Sequence, residues 1–191
     1  LALPPDTEPA LYLLVAPMMG LRSRVGDIRD PVIVAEVVAQ ARPQVVIHMA
    51  AQALVRRSYR LPVETFSTNV LGTALLLDRL RTVEGLQAVL VVTTDKVYHN
   101  DGDAHPFAEH DRLGGADPYS ASKAAAELIT ASMGASFLAK AGVAVGTARA
   151  GNVIGGGDWS EERPIPAIWR AVNAGGPVQL RHPLGTRPCE P

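Results

Sequence analysis

Gln87-Ala-Val-Leu-Val-Val-Thr-Thr-Asp-Lys96 is the stretch on which the fold turns. Gln87 to Thr93 is an apolar, β-branched run of the kind that forms a strand buried on both faces of a parallel sheet. It runs straight into Thr94, Asp95 and Lys96. Ligands of open α/β sheets collect beyond the carboxyl ends of the strands, so a hydroxyl, a carboxylate and an ammonium there are well placed for chemistry. Thr and Asp also end strands as plain turn or helix caps, and that alternative stays open on these residues alone.

Downstream, Tyr119-Ser-Ala-Ser-Lys123 follows Pro118, which sets up a helix start. Four residues are about one turn, so Tyr119 and Lys123 share a face. A phenol beside an ammonium has its ionised form favoured, and it can take a hydroxyl proton as hydride leaves the same carbon. That is alcohol oxidation by a nicotinamide. A solvated Tyr/Lys pair on a helix surface is the bland alternative, and the strand end upstream argues for the catalytic one.

Working outward, strand and helix patterns alternate. Arg22 to Val25 reads as a short strand ending at Gly26-Asp27. Asp30-Pro31 then starts a helix, with Asp at the N-cap and Pro in the first turn, and its apolar positions continue to Ala41. Pro43 stops it, and Val45-Val-Ile-His48 reads as the next buried strand, closing on the small residues Ala50 and Ala51. A long helix from about Pro62 to Arg81 carries Val63, Phe66, Val70, Ala74 and Leu77 at helical spacing. After a loop from Asn100 to Asp117, the Tyr119 helix runs to about Lys140, and Val143 to Ala148 forms a further strand. This βαβ series predicts an α/β, doubly wound parallel sheet with helices on both faces. Leu1 to Met19 has no firm assignment.

Composition narrows the function classes. Of 191 residues, 47% are hydrophobic and 19% charged, with a net charge of -1, which describes a globular core without the basic stripe of a nucleic-acid binder. A lone Cys189 excludes an intrachain disulfide and a cysteine-based zinc cluster, and it fits a reducing compartment. His48, His99, His105, His110 and His182 show no ligand spacing on one element, so no metal is expected. Leu11 to Ala16 is apolar but too short to span a bilayer, and no signal segment is evident, which gives a cytoplasmic expectation with no membrane partner.

A dinucleotide-binding half begins with a strand and a Gly-rich turn that holds pyrophosphate at a helix N-terminus. No such turn precedes Asp27. Gly155-Gly-Gly157 cannot substitute, because it follows the last strand of the series and leads to Asp158-Trp159. The expectation is a chain cut at both ends.

Gly26-Asp-Ile-Arg-Asp30, His48-Met-Ala-Ala-Gln52, Thr68-Asn-Val-Leu-Gly-Thr73, Thr94-Asp-Lys96, Tyr119-x-x-x-Lys123 and Arg149-Ala-Gly-Asn-Val-Ile-Gly-Gly-Gly-Asp-Trp159, in that order, resemble the extended short-chain dehydrogenase/reductases that act on nucleotide sugars. Within them the resemblance is to the nucleotide-sugar 4,6-dehydratases. Thr-Asp-Lys in place of Thr-Asp-Glu, with the Gly-Gly-Gly-Asp-Trp stretch, points to the CDP-glucose branch. The resemblance covers nearly the whole chain. It implies a Rossmann-like sheet missing its first strand and Gly-rich turn, over residues 1–157, and the beginning of a smaller substrate domain over 158–191.

The resemblance also implies roles. Tyr119 takes the proton of the sugar 4-hydroxyl while C4 hydride passes to NAD, and Lys123 lowers the phenol's pKa and holds the nicotinamide ribose. Thr94 hydrogen-bonds the same hydroxyl. Water then leaves across C5 and C6, with Asp95 as acid at the C6 hydroxyl and Lys96 as base at C5, and the hydride returns to C6. Asp27 and Ile28 meet the adenine, Ala50 and Ala51 line the dinucleotide, and Asn69 supports the loop near the active site. Asn152 contacts the nucleotide diphosphate and Arg187 binds phosphate. The implied product is a 4-keto-6-deoxy nucleotide sugar for surface polysaccharide such as lipopolysaccharide.

The implied partner is a second copy of the chain, through the Asn69 and Tyr119 helices. The sequence departs from the family in lacking the glycine turn and in ending Arg187-Pro-Cys-Glu-Pro191, so this piece alone is expected to bind NAD weakly and turn over little or nothing. Two other readings stay open. One is an epimerase or reductase of the same fold, which needs Tyr119 and Lys123 but no dehydrating pair. The other is an inert fragment or interaction module.

Overall fold

The structure is a computed structural model that describes residues 1–5, 7–15, 20–102, 106–161 and 163–179. These fall into two compact units, one of Leu1–Leu3 with Arg24–Ala150, the other of described residues within Pro4–Ser23 and from Gly151 onward.

The first unit is built on three parallel strands in the order β1-β2-β3: β1 is Val45–His48, β2 is Ala88–Thr94 and β3 is Ala144–Ala150. β2 is central, registered from Val45 opposite Ala88 on one side and from Ala144 opposite Ala88 to Ala150 opposite Thr94 on the other. A run of β-branched residues with no proline suits a strand paired on both edges. The chain ends of all three strands therefore lie at one edge of the sheet.

Helices connect them. Helix α2, Pro31–Ala41, has Asp30 as its N-cap, the carboxylate accepting from the amides of Val32 and Ile33 at 2.9 and 3.2 Å. After β1 comes a short helix that the sequence pattern does not announce, α3 at Val55–Arg60. The predicted Pro62 helix is found as α4, Pro62–Phe66, a π-helical segment at Ser67–Leu71, and α5, Gly72–Leu80. The Tyr119 helix is α6, Pro118–Met133, extended by a π turn at Gly134–Leu138 and a 3-10 turn to Ala141. Asp117 caps it, accepting from the Ser120 amide at 3.0 Å and the Ser120 hydroxyl at 2.6 Å. The predicted strand at Arg22–Val25 is reduced to a single parallel bridge between Ala2 and Val25.

The core lies on one face of the sheet. Val89 and Val91 project from that face of β2 and join Val34 and Val38 of α2 with Leu76, Leu77 and Leu80 of α5 in one buried cluster. Leu77 and Leu80 are fully enclosed, each contributing roughly 2 kcal/mol of burial. Val45, Ile47 and Leu90, on the opposite face, are exposed. The continuous apolar runs predict burial on both faces, and Leu90 of β2 with Val45 and Ile47 of β1 depart from it.

In the second unit, α1 is Leu11–Val15 and α7 is Pro164–Asn173. Gly157 has φ +78°, and a Cβ there would lie 2.7 Å from the Leu11 side chain, so conformation and close approach both favour glycine. Among the described residues no helix is long and apolar enough to cross a membrane.

Candidate active site

The end of β2 delivers Thr94, whose hydroxyl donates to Asp95 Oδ1 at 3.0 Å and accepts from the Lys96 amide at 3.4 Å. The chain turns at once into a 3-10 segment, Asp95–Val97, so Asp95 and Lys96 sit at the carboxyl edge of the sheet. Lys96 Nζ lies 2.9 Å from Asp95 Oδ1.

Helix α6 packs across this edge with Tyr119 and Lys123 both buried, each 8% exposed. Lys123 Nζ donates to the Val92 carbonyl at 3.0 Å, which ties the helix to β2 two residues before Thr94. Burial lowers the Lys123 pKa to about 8, because the charged form loses hydration. The backbone of Tyr119 is gripped on both sides by fully buried serines. Its amide, one of the orphan donors of a first helical turn, donates to Ser58 Oγ at 3.1 Å, and its carbonyl accepts from Ser122 Oγ at 2.7 Å.

Those serines belong to a wider buried network. Asn69 faces inward from the π-helical segment; its Oδ1 accepts from the Gln52 amide at 2.8 Å, and its Nδ2 donates to the Gln52 carbonyl at 3.1 Å and to Ser122 Oγ at 2.9 Å. Asn69 thus joins the loop after β1 to the helix carrying Tyr119 and Lys123. At the end of β1, His48 Nε2 lies 2.9 Å from Thr73 Oγ1, whose single proton goes to the Asn69 carbonyl at 2.7 Å. This pattern assigns the Nε2–H tautomer to His48. Burial, and secondarily the nearby Lys123 charge, lower the His48 pKa to about 4.

Ala50 and Ala51 are half-buried just after β1. Asp27 is forked by Arg29, with Nε 2.9 Å from each carboxylate oxygen, and these hydrogen bonds hold its pKa below the ordinary value. Ile28 is buried in the core, pressed so close to Gly72 that a Cβ there would meet Ile28 Cγ2 at 2.7 Å. Asn152 is half-buried in the second unit, and Arg187 lies outside the described residues. The structure brings Thr94, Asp95, Lys96, Tyr119, Lys123 and Asn69 to one region of the first unit.

Sequence reasoning assigned no role to Ser58, Ser122, Gln52 or His48. Ser122 and Gln52 stood inside quoted motifs, but only the three-dimensional pairing shows what they hold. For Ser58 no local signal exists, since its partner is Tyr119, distant along the chain.

A parallel sheet whose central strand ends in Thr94, with the helix carrying Tyr119 and Lys123 packed on it, defines a Rossmann-like α/β fold. Residues 18–152 match the family model described as GDP-mannose 4,6 dehydratase, and the chain belongs to that family. It is 43% identical to the CDP-glucose 4,6-dehydratase of Salmonella typhimurium over 99% of this chain and 54% of that protein. The dTDP-glucose 4,6-dehydratase of Streptomyces venezuelae, crystallised with NAD, superposes with a TM-score of 0.74 at 30% identity, over 86% of this chain and 48% of that one. The UDP-glucose 4-epimerase of Thermus thermophilus, also crystallised with NAD, gives 0.69 at 31% identity, over 80% and 49%. The chain thus spans about half the length of the relatives it matches.

Proposed function

We propose that the protein carrying this chain is an NAD-dependent nucleotide-sugar 4,6-dehydratase that converts CDP-glucose to CDP-4-keto-6-deoxyglucose. The observation that carries the reading is the burial of Tyr119 and Lys123 on one face of α6 beside the strand end that presents Thr94. Identity to the Salmonella typhimurium enzyme supports the cytidine nucleotide.

The donor set fits the nicotinamide end of NAD. An ammonium carries three N–H donors, and the Val92 carbonyl takes one of those of Lys123, which leaves capacity for ribose hydroxyls. Ala50 and Ala51 offer small side chains to the dinucleotide, and Asp27 and Ile28 are assigned to the adenine end, where the Arg29 amide, Nε and Nη2 hold the Asp27 carboxylate in place. When bound, NAD supplies the reversible oxidant for C4.

The side chains handle the protons. Tyr119 takes the proton of the sugar 4-hydroxyl, and the Lys123 charge favours the phenolate that can accept it. Thr94 hydrogen-bonds the same oxygen. With a carbonyl at C4 the C5 proton is acidified, Lys96 takes it, and Asp95 protonates the departing C6 hydroxyl. For this the Lys96–Asp95 ion pair has to part, with a proton leaving the ammonium and the carboxyl taking one up. Asn152 and Arg187 are assigned to the nucleotide diphosphate.

A second copy of the chain is the proposed partner. Val63, Phe66 and Leu71 on the α4-to-α5 helix and Leu128 on α6 are exposed at 80, 40, 53 and 61%, an apolar surface that a homodimer would cover.

The test uses the full-length protein with NAD and, separately, CDP-glucose, dTDP-glucose, UDP-glucose and GDP-mannose, following the alkaline absorbance of a 4-keto-6-deoxy product. CDP-glucose is expected to be turned over best, and Tyr119→Phe to lower kcat by roughly a thousandfold with little change in KM. An epimer in place of the keto sugar would support the epimerase reading instead.

A further inference from the structure

Both ends of the segment that carries Asp95 and Lys96 are tied to one ion pair. Arg149, near the end of β3, forks onto Glu127 of α6: Nε donates to Oε1 at 2.8 Å and to Oε2 at 3.0 Å, and Nη2 donates to Oε2. Glu127 is 5% exposed and Arg149 is half-buried. On the entering side, Thr93 Oγ1 donates to Glu127 Oε1 at 2.7 Å. On the leaving side, Arg149 Nη1 donates to the Tyr98 hydroxyl at 2.8 Å and to the Glu109 carbonyl at 2.9 Å. The Tyr98 ring stacks on Phe107 with centroids 4.6 Å apart, and the Arg149 guanidinium lies 4.7 Å from the Tyr98 centroid.

The placement is selective. Glu127 stands four residues after Lys123, one turn along the same face of α6, so the helix that presents the oxidising pair also anchors the neighbouring turn. Tyr119 and Lys123 have their own anchors in Ser58, Ser122 and the Val92 carbonyl. Among the described residues the Asp95 and Lys96 side chains bond to one another, and Asp95 also to Thr94, so their position depends on how the ends of their segment are held. A buried ion pair is weak support for stability, because desolvation offsets most of its Coulomb attraction. Its geometric effect is the larger one here.

We propose that Glu127, Arg149 and Tyr98 form a clamp that positions Asp95 and Lys96, and that the clamp governs loss of water at C5 and C6 rather than oxidation at C4. The inference rests on the dehydratase reading. Opening the clamp leaves Tyr119 and Lys123 in place and releases the acid and base of elimination.

Tyr98→Phe removes the hydroxyl and keeps the stacked ring. Thr93→Val removes the other foot at nearly constant volume. In the full-length protein each is expected to slow water loss roughly tenfold or more with KM for the nucleotide sugar unchanged, since small misplacements of reacting groups are costly. Oxidation would continue, so the near-ultraviolet absorbance of reduced nicotinamide should build up during turnover. Without substrate, the amides from Lys96 to His99 should exchange hydrogen faster in both variants, while those of α6 exchange as before. Unchanged exchange in that segment, or oxidation and water loss falling in equal proportion, would overturn the clamp. Faster exchange in the variants of a protein that dehydrates no nucleotide sugar would leave the positioning of Asp95 and Lys96 by the clamp standing and overturn the dehydratase reading, and with it the clamp's role in water loss.

Discussion

His48 and Lys123 place two titratable side chains in the same interior, and their pKa values move in the direction that burial dictates for a base. Between pH 6.5 and about 4 the unfolded chain binds a proton that folded His48 refuses. Stability is therefore full above that window and falls as the pH drops through it, by up to about 3 kcal/mol. Lys123 has the same sign in another range. Below about pH 8 the cost of its buried charge is fully present, and stability rises as the pH climbs from about 8 towards 10.5. Urea midpoints measured across pH should show both slopes, with His48→Gln flattening the acid limb and Lys123→Met the alkaline one. Turnover runs the other way at high pH: loss of the Lys123 charge above about 8 removes the field beside Tyr119, so kcat/KM should decline there.

At the scale of elements, the π-helical segment Ser67–Leu71 is the irregularity that matters, since it turns Asn69 inward to bond the loop after β1 and Ser122 of α6. Single π bulges in helices concentrate at functional sites for this reason. Asn69→Ala takes the Asn69 partner from the Gln52 amide and carbonyl in a closed interior, and leaves the Ser122 hydroxyl with its bond to the Tyr119 carbonyl. The expected loss is about 3 kcal/mol, measured by denaturant unfolding, because buried polar groups left unpaired carry their full desolvation cost. Leu71→Ala in the same segment, at an exposed site, should cost under about 1 kcal/mol.

For the whole molecule, the exposed apolar residues on the outer faces of α4, the π-helical segment and α6 predict association. Phe66→Glu or Leu128→Glu, each placing a charge where the second copy would pack, should shift the sedimentation of the full-length protein from dimer to monomer. Sedimentation of the unsubstituted protein as a monomer at micromolar concentration would rule the dimer out. Val45, Ile47 and Leu90 are exposed on the sheet face opposite the core, and all three interrupt what the sequence reads as strands buried throughout.

Local chemistry along the chain was sufficient for much of this. The β-branched run to Thr93 specified the central strand, Asp30-Pro31 and Asp117-Pro118 specified two helix starts, and the spacing of Tyr119 and Lys123 specified a shared face, because each depends on near neighbours and on backbone periodicity. Helix α3, the π segment and the grip of Ser58 and Ser122 on the Tyr119 backbone were not legible, since each is settled by partners far away in sequence. The same holds for Arg149. Its motif marks it as notable, yet only the folded chain brings Glu127, Tyr98 and Thr93 around one guanidinium. Sequence determines which groups are available and on which face of their own element they lie, and tertiary structure decides which of them meet, because long-range contact requires the core to close first.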